Sequence, residues 1–116
     1  MLRADTLEYV ARSVVRQYGS FPPRFIENVR RNVRRNFRAT ISAEQVREFM
    51  AHYQRVYAFA AAALPRFLGS SNGKSARGED VRLEEFRAHV AERYQREPQS
   101  VIETVTGYAV FYEYLK

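Results

Sequence analysis

Pro22–Phe37 reads PPRFIENVRRNVRRNF, and Arg38 follows it. Wound at 100° per residue, Ile26, Val29, Val33 and Phe37 fall within about 80° of one another, which predicts a helix with a narrow apolar seam. Two prolines open the stretch, and proline is well tolerated in the first turn of a helix. Six arginines (Arg24, Arg30, Arg31, Arg34, Arg35, Arg38) stand there against one acid, Glu27. Arg24, Arg31, Arg35 and Arg38 lie opposite the seam, with Arg30 and Arg34 on one flank and Asn28 and Asn32 on the other. A solvated helix ordinarily interleaves Glu with Arg at i,i+4, because each such pair adds a few tenths of a kcal/mol. Here the arginines have almost no partner within the helix and repel one another. The pattern predicts a counter-charge supplied by another molecule.

The flanks of this stretch also read as helices. Asp5-Thr-Leu-Glu8 has capping-box spacing, and Leu7, Val10, Ala11, Val14, Val15 and Tyr18 recur at amphipathic intervals up to Gly19. Ser20–Pro23 is a turn, since the residue before a proline avoids helical dihedrals. Ala39–Ile41 reads equally as a break or a continuation. Ser42-Ala-Glu-Gln45 is a second capping box, opening a helix with Val46, Phe49, Met50, Tyr53, Val56, Tyr57, Ala60 and Leu64 on one face until Pro65 kinks or ends it. Gly69–Asp80 (GSSNGKSARGED) is a polar linker, expected to be flexible. It is no phosphate loop, because Gly69 and Gly73 enclose three residues where that motif needs four. A fourth helix is predicted over Val81–Gln95, with Leu83, Phe86, Val90 and Tyr94 inward and acids clustered at its start. A fifth begins near Gln99 and carries Val101, Ile102, Val105, Tyr108, Tyr112 and Leu115, although its β-branched and aromatic residues also suit a strand. The expected fold is all-α with about five helices. A basic helix-turn-helix arm (1–41) is joined by a central helix (42–68) and the loop (69–80) to a C-terminal helical hairpin (81–116).

At 116 residues the chain is one domain with one modest core. Its net charge is +6, and 17 of its 19 basic residues are Arg, whose planar fork matches phosphate. Residues 1–66 carry 12 Arg and 5 acids, net +7, whereas residues 67–116 are net −1. The absence of cysteine excludes disulfides, iron–sulfur clusters and a thiol nucleophile. No secretory leader and no apolar run long enough for a membrane span is legible.

Catalytic chemistry finds no support. His52 and His89 are single histidines on separate helices, read as packing or surface residues. No nucleophile–base–acid order, zinc-protease motif or dinucleotide fingerprint is present. The expectation is no catalytic residue, no metal site and no cofactor. The aromatics fall mainly at inward positions, and the surplus of Tyr9, Tyr108, Tyr112 and Tyr114 hints at a subunit interface.

An echo appears at an offset of 76 residues: Val14-x3-Tyr18-x3-Pro22-x2-Phe25-Ile26-Glu27-x-Val29 against Val90-x3-Tyr94-x3-Pro98-x2-Val101-Ile102-Glu103-x-Val105. The apolar scaffold repeats and the arginines do not. They need a reason of their own.

A helix of this length, about 25 Å for the whole stretch, offers Arg and Asn suited to phosphate oxygens and poorly suited to reading bases. Coating of a nucleic-acid backbone is the leading reading. An acidic protein partner or membrane surface, and a merely solvated face, stand as alternatives.

Three features carry a family resemblance: Gln17-Tyr18-Gly19 followed by prolines and a basic helix, the segment Tyr94-x3-Pro98-x2-Val101-Ile102-Glu103-x-Val105-Thr106, and a cysteine-free basic composition at this size. In these the chain resembles major capsid proteins of filamentous viruses of hyperthermophilic archaea with linear double-stranded DNA. The resemblance implies a virion protein and a helical nucleoprotein filament. The N-terminal arm would wrap the DNA, held in A-form, and the C-terminal helices would pack between copies of the chain or against a second, related capsid chain. It further implies that Arg24, Arg30, Arg31, Arg34, Arg35 and Arg38 take the phosphates, with Arg12 and Arg16 as candidates. The loop at 69–80 has no place in that pattern. A small chromatin or regulatory DNA-binding protein, or an RNA-binding subunit of a ribonucleoprotein, is the alternative. The C-terminal pattern is also similar to the helical region of the thioredoxin-like subunit of respiratory complex I, but without cysteine there is no iron–sulfur cluster to hold.

Overall fold

Val10, Ala11, Val14 and Val15 form one wall of the core, and their spacing sets the first of five helices. The computed structural model describes residues 2–17, 20–68 and 81–114. These hold α1 (Ala4–Arg16), α2 (Phe25–Phe37), α3 (Ala43–Ala63), α4 (Leu83–Arg93) and α5 (Gln99–Glu113), with a 3₁₀ turn, Leu64–Phe67, after α3 and no strand among the described residues. The all-α expectation holds. The strand alternative for α5 gives way because Val101, Ile102, Val105 and Ala109 are buried together at helical spacing. The inward Tyr18 and Leu115, the stop at Gly19 and the loop 69–80 lie outside the described residues.

The two predicted capping boxes fare differently. Ser42 Oγ accepts from Gln45 N–H at 3.0 Å while Gln45 Oε1 accepts from Ser42 N–H at 2.8 Å, so α3 starts where the motif placed it. The box at Asp5 does not form. α1 begins at Ala4, two residues too early for Asp5 to cap it, and the Asp5 carboxylate takes the N–H of Thr6 at 2.7 Å instead. Asp5 still lies in the first turn, where a negative charge favours the helix dipole. Pro65 ends α3 as expected, and the chain tightens into the 3₁₀ turn. α4 is shorter at both ends than its sequence pattern.

α1, α3 and α5 form the centre of the bundle, α4 packs on α5, and α2 lies on α3 and α1. α1 and α5 run side by side in the same direction. Thr104 Oγ1 donates to Glu8 Oε2 at 2.8 Å and Tyr112 Oη to the Arg16 carbonyl at 3.3 Å, each pair 96 residues apart. α1 is therefore part of the bundle, and the peripheral arm narrows to α2. The 76-residue echo is also visible in space. Phe25 N–H bonds the Pro22 carbonyl and Val101 N–H the Pro98 carbonyl, both at 3.0 Å, and Val14, Phe25 and Val29 are buried as are Val90, Val101 and Val105.

Gly107 sits inside α5, where glycine costs about 1 kcal/mol relative to alanine. A Cβ built there meets nothing within 4 Å. No helix among the described residues is long and apolar enough to cross a membrane.

Candidate nucleic-acid interface

α2 begins at Phe25, so Pro22 and Pro23 form the turn before the helix and not its first turn. Pro23 itself biases Pro22 away from helical dihedrals. The helix proper is 13 residues, about 20 Å long, shorter than the whole stretch suggested. Phe25, Val29 and Val33 are buried, with Ile26 and Phe37 half-buried beside them. Phe25 was absent from the predicted seam. Its spacing of four from Val29 was the available signal, and the Phe21 ring packs on it tilted, centroids 4.7 Å apart.

The opposite side of α2 is solvent. Arg24, Arg31, Arg34, Arg35 and Arg38 are exposed, and among the described residues none of these side chains has a hydrogen bond or an ion pair. By helical spacing Arg24, Arg31, Arg34 and Arg35 share an arc of about 100°, facing away from the buried seam. The C-terminal end of the helix dipole favours Arg34 and Arg35 electrostatically. It gives Arg31, at mid-helix, little, and it disfavours Arg24, which sits at the positive N-terminal end. Asn28 is exposed on the adjoining flank.

Four of the ten predicted contact residues are placed elsewhere. Arg30 is half-buried, and its Nε donates to the Ile41 carbonyl at 2.9 Å, tying α2 to the segment that leads into α3. Asn32 Nδ2 donates to Tyr9 Oη at 2.8 Å, and the Tyr9 ring packs on Phe37 at 5.5 Å. Arg12 grips Glu8 through Nε at 2.9 Å and Nη2 at 2.6 Å. Arg12 and Arg16 belong to the α1–α5 edge, not to the face of α2. Of these two, Arg16 keeps an exposed side chain with no acid partner among the described residues.

Arg38 ends α2 in the left-handed conformation, φ 51° and ψ 37°, with its N–H on the Arg34 carbonyl at 3.2 Å. This is the helix-ending position usually filled by glycine or asparagine. A side chain with a Cβ costs about 1 kcal/mol there. The turn also resolves Ala39–Ile41 as a break, so α2 and α3 are separate helices.

One polar cluster escaped the sequence reading. His52 Nε2 lies 2.8 Å from Glu97 Oε2, and Tyr53 Oη donates to Glu97 Oε1 at 3.2 Å. Burial pushes the Tyr53 phenol well above its ordinary range, and the negative charge and hydrogen bond of Glu97 add to the effect. The trio ties α3 to the turn before α5. Its members are 44 and 45 residues apart, so no local spacing announces it.

Compared with protein-family models, curated proteins and solved structures, the chain matches none.

Proposed function

We propose that this protein coats the phosphate backbone of double-stranded DNA without reading its sequence, as a subunit of a helical nucleoprotein filament of the capsid type. One observation carries the reading: five exposed arginines, Arg24, Arg31, Arg34, Arg35 and Arg38, without acid partners on a helix held down by three buried residues. Arginine forks suit phosphate oxygens, and contacts to phosphate position a protein without specifying bases. A duplex presents about 12 phosphate charges over the 20 Å that α2 spans. One helix supplies fewer than half the matching cations, so neutralising the duplex calls for copies packed along it. That is the physical reason to expect a filament, and a virion is the setting that the sequence resemblance implies.

The test is binding to long duplex DNA of mixed sequence. Five phosphate contacts give a salt slope of about −4.5, a loss of roughly 500-fold in affinity between 50 and 200 mM salt. Protection should be uniform along the DNA, and electron microscopy should find filaments of regular pitch. Tight binding retained at high salt would overturn the backbone mode. A single protected site would make the protein a regulator.

A further inference from the structure

Tyr9 of α1 meets α2 at two places. Its hydroxyl accepts from Asn32 Nδ2 at 2.8 Å, the one side-chain hydrogen bond between these two helices among the described residues. Its ring lies 5.5 Å from that of Phe37, five residues further along α2. Tyr9 is in turn fixed by the bundle, because on one side Glu8 accepts from Thr104 of α5 and on the other Val10 is fully buried. Across the seam of α2, Arg30 Nε donates to the Ile41 carbonyl at 2.9 Å.

The seam alone cannot aim this helix. It buries Phe25, Val29 and Val33, and apolar contact has no direction, so it holds α2 down without setting the rotation about its own axis. Hydrogen bonds do have direction. At 100° per residue Asn32 lies about 60° to one side of Val29 and Arg30 about 100° to the other, so rotation in either sense pulls one of the two bonds apart. On the far side of α2 that rotation matters. With its side chains a helix has a radius of roughly 5–6 Å, and turning it by about 30° carries a guanidinium about 3 Å sideways, a whole hydrogen-bond length. Arg31, Arg34 and Arg35 can grip phosphates together only while the rotation is held.

We propose that Tyr9 is a positioning residue for the arginine face: acting through Asn32, it fixes the rotation of α2 and so decides which arginines reach phosphate together. Asn32 then serves binding from the protein side and touches no phosphate itself. The inference rests on the proposed binding of duplex DNA by α2 and adds how that face is aimed.

The experiment measures affinity and salt slope on a short mixed-sequence duplex for the full chain, for Tyr9→Phe, for Asn32→Ala and for the double variant. Tyr9→Phe keeps a ring on Phe37 and deletes the acceptor. It should cost one phosphate contact, read as a salt slope smaller in magnitude by about one and an affinity about eightfold lower at 100 mM salt. Asn32→Ala should do the same, and the double variant no more than either alone, because the two side chains act as one unit. A merely structural role would lower the melting temperature and leave the slope where it was. Amide NMR of DNA-free Tyr9→Phe should show α2 still helical; a melted α2 would mean that Tyr9 holds the helix together and does not aim it, which overturns the proposal. An unchanged slope, or effects that add in the double variant, also overturns it, while a wild-type slope of about −4.5 leaves the DNA-binding reading standing. A wild-type chain that binds no duplex removes both.

Discussion

α2 and α5 hold equivalent places, each following a proline turn with the same 3.0 Å bond, and they are put to opposite uses. Phe25, Ile26 and Val29 correspond to Val101, Ile102 and Val105. Behind that shared seam α5 is embedded: Val101, Ile102, Val105, Thr106 and Ala109 are buried, and the helix packs on α1, α3 and α4. α2 buries Phe25, Val29 and Val33 and lies chiefly on α3 and α1. The residue before each proline differs in the same sense. Phe21 packs on Phe25 beside α2, whereas Glu97 is held by His52 and Tyr53 beside α5. One scaffold therefore yields a bundle helix and a surface helix. Because the scaffold is common to both, its shape cannot account for the arginines found on only one.

The contrast can be broken in several places. Reversing Arg31, Arg34 and Arg35 to Glu should lower affinity for mixed-sequence duplex by on the order of a thousandfold at about 100 mM salt, with only a small loss of thermal stability from the acids placed at the C-terminal end of the α2 dipole. Binding that survives would reduce α2 to a solvated face. Next, urea denaturation should find Ile102→Ala costing about 3 kcal/mol, because the side chain is fully buried and leaves a cavity. Ile26→Ala, at the matching half-buried position, should cost about 1 kcal/mol. Equal costs would mean that α2 is embedded as deeply as α5. Arg38→Gly should raise stability by about 1 kcal/mol by relieving the left-handed backbone. The same change should reduce the magnitude of the salt slope for DNA binding by about one. A gain in stability with no change in slope would remove Arg38 from the interface. The smallest effect concerns how the turn before α5 is anchored. Folding raises the Tyr53 phenol pKa, so the unfolded chain ionises first and stability falls as pH climbs past about 10. Tyr53→Phe should flatten that alkaline decline, measured as melting temperature against pH.

Local signals carried most of the fold. Ser42 and Gln45 announced the start of α3 because both halves of that cap lie within one turn, and the 3.6-residue rhythm of Val10, Val14 and Val29 fixed the inward faces. What failed depended on distance or register. Asp5 had the right spacing but the helix started one residue ahead of it. Arg30 and Asn32 looked like members of the basic face until the Ile41 carbonyl and the Tyr9 hydroxyl, 11 and 23 residues away, claimed them. Composition could count the arginines, but only tertiary contacts could separate the five at liberty on α2 from the one that is structural.

The side-by-side pairing of α1 with α5 has a kinetic consequence. Bringing together segments 96 residues apart costs about 2 kcal/mol more in loop-closure entropy than closing a 12-residue hairpin. A bundle of sequential helical hairpins avoids that barrier, and helical proteins usually fold fast for this reason. Here the part of α1 that packs on α5 waits for that helix, and until it arrives the chain displays apolar surface beside a strongly basic one. This one long-range pairing thus delays closure of the core, with the arginine helix able to form first.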